Sequence, residues 1–291
     1  MMAGQSVFRT GQKVLRAAVC LGLAALFGGP LGRAPAVSGQ DEIDQSLLPK
    51  ILEKTAEYCR LFGTASLNYV CLEDITEKIY SPYRSIPQSY PPVLLSIEKN
   101  HYVYDYQLIQ KSGDVKEQRI LLEENGEKRN IREAPLKVKR FRYKYMTSGP
   151  MLLSAYWQGY HNYRIVGTEK VNGERCLVIE AVPKPSFQLE HLSGKMWVRQ
   201  RDFHILKLEY NQETIDNYRM IEATAEKLKA RPLVTLVTEY GFEKKGIRFP
   251  SRYLQREEYI NLRGVHFIKS ETTVNYRNYK YFTVETEVEI K

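Results

Sequence analysis

The chain has 291 residues, with 43 Lys and Arg against 34 Asp and Glu for a formal charge of +9, and 43% of it is hydrophobic. Its 21 Tyr, 10 Phe and 2 Trp supply enough apolar surface to bury a core, which excludes an intrinsically disordered chain. Thirteen Pro and 18 Gly exclude a collagen-like or low-complexity sequence, and four Cys are too few for a scaffold built on disulfides.

Residues 1–36 carry the pattern of an export signal. Arg9, Lys13 and Arg16 form a basic start, Ala17–Gly28 is a short apolar run, and Ala34-Pro35-Ala36 offers the small residues of a cleavage site. The run falls short of the roughly 20 residues of a membrane span, so the reading is a Sec signal cleaved near Ala36, with an uncleaved anchor as the alternative. Val19, directly before Cys20, is not the small residue a lipoprotein signal requires. Cleavage removes Arg9, Lys13, Arg16, Arg33 and no acid, taking the charge from +9 to +5. That is below the level of a nucleic-acid-binding domain. No later stretch approaches about 18 apolar residues, so residues 37–291 are read as one domain without an integral span, located in the periplasm.

Asp41 to Phe62 is predicted as a helix, because Leu47, Leu48, Ile51, Leu52, Thr55, Cys59 and Phe62 recur at three- and four-residue spacing. Ser46 is its predicted N-cap, Pro49 sits in the first turn, and Gly63 is the stop. From Ser66 the period becomes two. Strands are predicted over 67–79, 99–110, 116–124, 138–146, 162–169, 175–182, 194–199, 203–210, 233–243, 247–259, 265–276 and 280–290. Gly113-Asp114, Asn125-Gly126, Asn172-Gly173, Lys245-Gly246 and Arg263-Gly264 fall where hairpins need positive φ, which argues for an antiparallel meander. Residues 81–92 read as a Pro-rich loop, and Ser148–Trp157 and Asp216–Ala230 as two further helices.

Within the strands one face is aromatic and the other charged. Tyr102, Tyr104, Tyr106 and Leu108 share a face, Phe141, Tyr143 and Tyr145 oppose Arg140, Arg142 and Lys144, and Phe282 shares a face with Val284, Val288 and Ile290. About a dozen strands carry too much apolar face to be covered flat by a few helices. The expected fold is therefore mainly β (α+β): a long antiparallel meander curled into an open half-barrel, with the N-terminal helix and the short helices on its concave side. Tyr102, Tyr104, Tyr106, Phe141, Tyr143, Tyr145 and Phe282, with Met151, Leu152 and Trp157 of the short helix, are the candidate lining. They form either a packed core or the wall of a ligand cavity. The short helix is either a lid or a permanent plug.

The run Val166-Gly-Thr-Glu-Lys-Val-Asn-Gly-Glu-Arg-Cys-Leu-Val-Ile-Glu-Ala-Val-Pro183, then Gly194-Lys-Met-Trp-Val198, Asp202-Phe-His-Ile-Leu-Lys-Leu-Glu209 and Gly246-Ile-Arg-Phe-Pro-Ser251, resembles the LolA-like superfamily of periplasmic lipoprotein-sorting and lipid-binding proteins, which includes RseB-type regulators. The likeness is motif-like over 162–210 and 238–254 and architectural over 44–290. It implies a half-barrel closed by helices around a hydrophobic cavity for acyl chains. No residue of this chain is carried over as an acyl-binding or receptor-contacting position.

No chemistry-bearing motif accompanies these strands. His101, His161, His191, His204 and His266 lack metal-ligand spacing, there is no His-Glu-x-x-His, Cys-x-x-Cys, Gly-x-Ser-x-Gly elbow or phosphate loop, and Glu123-Glu124 and Glu257-Glu258 point to opposite strand faces. No metal, cofactor or enzymatic activity is expected. In an oxidising compartment Cys59 and Cys71 would bond, the alternative being two buried thiols, with Cys176 a small buried hydrophobe. Lys137–Lys144 interleaves cations with aromatics, either as a solvent-facing strand or as a receptor for anionic headgroups. The expected function is a non-enzymatic periplasmic carrier whose partners are a lipid or lipoprotein acyl chains and an envelope receptor protein. The alternative is an RseB-like protein-interaction and regulatory module.

Overall fold

The computed structural model describes residues 44–82, 94–111, 114–140, 150–185, 192–215 and 218–282. The signal segment, Gly113 and most of the Pro-rich loop and of the predicted strand 280–290 lie outside the described residues, as do Phe141, Tyr143 and Tyr145. The helices are α1 (Leu48–Ser66), α2 (Ala155–Gln158) and α3 (Tyr218–Leu228). The strands are β1 (Tyr69–Pro82), β2 (Leu94–Lys111), β3 (Asp114–Glu124), β4 (Glu127–Ile131), β5 (His161–Val171), β6 (Glu174–Pro183), β7 (Gly194–Arg199), β8 (Ile205–Tyr210), β9 (Ala230–Glu239), β10 (Phe242–Lys244), β11 (Ile247–Phe249), β12 (Arg252–Asn261) and β13 (His266–Tyr281).

Eleven of these strands form one antiparallel sheet in the order β4-β3-β2-β1-β13-β12-β9-β8-β7-β6-β5, and β10 and β11 form a separate hairpin. The chain winds outward from β1 to β4, reappears at the opposite edge as β5, and winds back to β13, which pairs with β1. First and last strands thus meet mid-sheet, and the open edges are β4 and β5. All five residues of β4, Glu127-Lys-Arg-Asn-Ile131, are exposed, and a charged edge of this kind discourages pairing with another chain.

Curvature follows from the width. Strands stand about 4.8 Å apart, so eleven laid flat would span about 50 Å, whereas a helix with its side chains is about 10–12 Å across. Yet Leu121 on β3 and Ile165 on β5, near opposite edges, belong to one buried cluster with Ile51, Tyr58, Cys59 and Phe62 of α1. The sheet curls around its cover and remains unclosed, the half-barrel expected from the alternation.

Turns fall as the sequence indicates. Asn125-Gly126, Asn172-Gly173 and Lys245-Gly246 all take positive φ, as two-residue hairpin turns require. Several boundaries differ from expectation, each for a physical reason. Leu47 and not Ser46 is the N-cap of α1; Asp44 accepts the Ser46 N–H and caps the short 3-10 turn that precedes the helix. The helix continues through Gly63 to Ser66 because Phe62 and Ser66, one turn apart, are both buried, and packing outweighs the roughly 1 kcal/mol helix penalty of glycine. Predicted strands 233–243 and 247–259 each break where Gly241 and Pro250 carry the chain off the sheet. Gly241 N–H donates to Ser251 Oγ (3.0 Å), and the Pro250 carbonyl accepts from Tyr279 Oη (2.8 Å). Residues 266–281 form one strand, continuing past a register shift near Asn278, which sits at φ 57°. Residues 138–140 are not strand, and the remainder of the predicted strand 138–146 lies outside the described residues.

Gly194 starts β7 opposite Tyr210 of β8. A Cβ built there would lie 2.1 Å from the Glu209 carbonyl oxygen and 2.9 Å from Tyr210 Cα, both backbone atoms that no rotamer change can move. Gly194→Ala is expected to cost about 1–3 kcal/mol by forcing β7 and β8 apart, read as a lower urea midpoint at unchanged m value.

Candidate functional site

Among the described residues, α1, the segment 132–140 and α3 lie over the concave face. Helix α1 lays Ile51, Thr55, Tyr58, Cys59 and Phe62 on the sheet, with Tyr58 and Phe62 against His204, Tyr240 and Phe249. The segment 132–140 after β4 lies over the tyrosines of β2, burying Ala134 and Val138. Helix α3 closes the third side with Ile221 and Ala225.

Beneath α1 lies a group of phenols. Tyr58 Oη donates to the Arg248 carbonyl (3.0 Å) and accepts its N–H (3.2 Å), and Tyr253 Oη donates to Gln255 Oε1 (2.6 Å). Burial raises the pKa of Tyr58, Tyr210, Tyr240 and Tyr253 above the ordinary tyrosine range, so these hydroxyls stay neutral. The Tyr240 hydroxyl is fully buried and has no protein partner.

Beside the phenols runs a polar row that sequence reasoning missed. Cross-strand register aligns Asn100, Glu77, Thr272 and Gln255 on four adjacent strands, all buried. Glu77 Oε1 accepts the backbone N–H groups of Lys139 (2.9 Å) and Arg140 (3.0 Å). The Arg140 guanidinium donates to Glu257 Oε2 (2.8 Å), whose other oxygen accepts from Tyr259 Oη. Two buried carboxylates therefore anchor the covering segment. A third, Glu73, receives Arg119 through Nε (2.6 Å) and Nη2 (3.2 Å). Thr272 Oγ1 is buried without a partner. The signal was present in β1, where Glu73 and Glu77 share parity with Tyr69, Cys71 and Ile75: charge placed on the apolar face of a strand.

The candidate lining is gathered only in part. Tyr102, Tyr104, Tyr106 and Leu152 enter the main core. Tyr104 Oη donates to the Pro135 carbonyl (3.3 Å) and accepts the Lys137 N–H (3.2 Å), and Tyr106 Oη donates to Glu117 (3.1 Å). The predicted short helix is a 3-10 turn, Pro150–Leu153, followed by α2, capped by Ser154. This break points Leu152 and Leu153 inward and leaves Met151 exposed. Trp157 is half-buried against Tyr156, Tyr160 and His161, away from the β2 tyrosines. Phe282 follows β13, half-buried, with its N–H on the Asn68 carbonyl (3.0 Å). Arg140, expected on a solvent-facing strand, is exposed but not in a strand, and its guanidinium reaches Glu257. Among the described residues no group of His, Cys, Asp and Glu is placed to hold a metal ion, and no helix is long and apolar enough to cross a membrane.

The expected Cys59–Cys71 bond is not formed. Cys59 Sγ donates to the Pro150 carbonyl (2.9 Å), Cys71 is hydrogen-bonded with Tyr279, and both thiols are free and buried, as is Cys176. Helix and strand are joined by packing, and each thiol has a partner of its own. Burial pushes the Cys59 thiol up to about 12 and raises Cys71 and Cys176 as well. A thiol reagent at neutral pH is expected to leave these three cysteines unmodified in the folded chain and to modify all three in denaturant without reductant. Two fewer reactive thiols in denaturant would restore the bond.

A family model described as an uncharacterized protein matches residues 151–281. None of the curated proteins compared matches the chain. Among solved structures, a DUF1329 family protein from Desulfovibrio piger is similar at 12% identity, with 82% of this chain and 95% of that chain covered and a TM-score of 0.39. A LolA superfamily protein from Nitrosomonas europaea is similar at 15% identity, with 84% and 97% covered and a TM-score of 0.33. The Pseudomonas aeruginosa MucA/MucB complex is similar at 9% identity, with 79% and 99% covered and a TM-score of 0.21.

Proposed function

We propose that this chain is an exported, non-enzymatic carrier that takes a lipid, or the acyl chains of a lipoprotein, onto the concave face of its half-barrel in the periplasm. The observation that supports this reading is an aromatic interior holding two buried hydroxyls, Tyr240 Oη and Thr272 Oγ1, with no protein partner. A buried hydroxyl left unpaired costs about 1–3 kcal/mol, and an ester or amide oxygen at the head of an acyl chain would recover that cost. The chain itself would contribute about 0.8 kcal/mol per buried methylene. Entry requires one cover to move, and segment 132–140 is the one whose displacement opens the β2 tyrosines.

Native mass spectrometry of protein purified from its own periplasm is the test: a co-purified lipid adduct is the expected result. A clean apo mass, together with no uptake of a fluorescent fatty acid, would overturn the carrier. Tyr240→Phe sharpens it, since loss of the unpaired hydroxyl is expected to stabilise the empty protein by about 1 kcal/mol while weakening retention of the adduct.

A further inference from the structure

Strand register brings two turns side by side at one end of the sheet. Asn261 pairs with Ala230 and Ile260 with Arg231, so the β12–β13 turn stands next to the turn between α3 and β9. Leu262 on the first is 91% exposed, and Val265 beside it and Leu228 on the second are exposed as well. Around them stand Lys227, Lys229, Arg231 and Arg263, all exposed, against one exposed carboxylate, Glu226, among residues 226–231 and 261–266.

Both turns are built rather than slack. Asn261 Oδ1 accepts the N–H groups of Arg263 (2.9 Å) and Val265 (3.0 Å), and Gly264 N–H donates to the Asn261 carbonyl (2.9 Å). Lys229 ends α3 in the left-handed conformation, φ 49°, with its N–H on the Glu226 carbonyl (3.0 Å). Glycine is the residue that conformation favours, so the lysine is not there to suit the backbone. The turn thus holds Leu262 outward, at the end of the sheet that also carries these exposed cations.

We propose that this end of the sheet is a membrane-contact surface. Leu262, Val265 and Leu228 enter the boundary between headgroups and acyl chains, and Lys227, Lys229, Arg231 and Arg263 face the phosphates of anionic lipids. Apolar tips ringed by one sign of charge match a lipid surface, whereas a folded partner would need a groove or a mixed-charge rim. The inference goes beyond the carrier reading, because it requires no ligand on the concave face.

The test is co-sedimentation of the full chain with vesicles of phosphatidylcholine alone or mixed with phosphatidylglycerol. Binding is expected to be stronger on the anionic vesicles and to fall with salt. Lys229→Gly keeps the turn and removes one cation, and is expected to weaken anionic-vesicle binding about fivefold; Leu262→Asp is expected to weaken it more than tenfold. A local readout separates this surface from the apolar N-terminal segment. Tryptophan placed by Leu262→Trp is expected to be quenched by brominated phosphatidylglycerol, while Ile131→Trp on β4, at an edge five strands from β12, is not. Equal binding by wild type, Lys229→Gly and Leu262→Asp, or no quenching at position 262, would overturn the proposal. Ligand uptake by Leu262→Asp is expected to be unchanged, so failure of the membrane surface and failure of the carrier are read separately.

Discussion

Arg119→Met is expected to destabilise the fold by about 3–5 kcal/mol, one of the two largest single-residue effects in this protein. Glu73 is 0% exposed and Arg119 6%, so neither charge has water as a substitute partner. The guanidinium meets both Glu73 oxygens, donates a further bond to Glu117 (2.8 Å), and stands 4.8 Å from the centre of the Tyr106 ring. Methionine fills much of the volume but leaves the Glu73 carboxylate facing the core without its counter-charge. The double variant Glu73→Leu/Arg119→Met removes the charge together with its partner and is expected to recover most of the loss, because paired desolvation roughly cancels the attraction in an intact buried bridge. Urea unfolding of both variants checks this. A single-variant cost below about 1 kcal/mol, the range of a surface pair, would show that water reaches Glu73.

The second large effect is expected at Phe62→Ala, about 3–5 kcal/mol. Phe62 is 1% exposed, with ring centroids 5.6 Å from Phe249, 6.2 Å from Tyr240 and 6.4 Å from Tyr58. It ties α1 to the β10–β11 hairpin and to the phenols beneath the helix, and truncation leaves a void that backbone on two sides prevents from collapsing. Leu61, its neighbour in sequence, is 42% exposed, so Leu61→Ala is expected to change stability by no more than about 0.5 kcal/mol. Chemical denaturation of the pair measures how far α1 is held by one face. Comparable costs at the two positions would mean that the helix is gripped all round and does not serve as a one-sided cover.

Much of this architecture was legible before any coordinates. The three-and-four spacing from Leu48 to Phe62, the alternation of Tyr102, Tyr104 and Tyr106, and the Asn-Gly turns are local signals: each depends on residues a few positions apart and on backbone geometry that does not change between proteins. The misreadings occurred where the deciding neighbour is distant in sequence. Gly63 reads as a stop until the sheet takes Ser66 into its core. The Ser148–Trp157 segment reads as one helix, yet only a break at Ser154 turns Leu152 inward while Met151 faces out. Cys59 and Cys71 read as a pair until Pro150 and Tyr279 are found to be their partners. Arg140 reads as a residue on an exposed strand; it is exposed, but no strand forms at 138–140, and Glu257, 117 positions later, holds its guanidinium.

The figures of length, composition and charge, with the period-two pattern, were sufficient by themselves for an antiparallel meander with one aromatic face, because alternation and turn chemistry are properties of the backbone. What lies against that face was decided only by the tertiary structure. Register across β2, β1, β13 and β12 set Asn100, Glu77, Thr272 and Gln255 in one buried row, and the pairing of β9 with β12 placed Leu262 beside Leu228. A strand's own sequence names which side chains point inward; which of them meet depends on register, and register depends on strands many residues away.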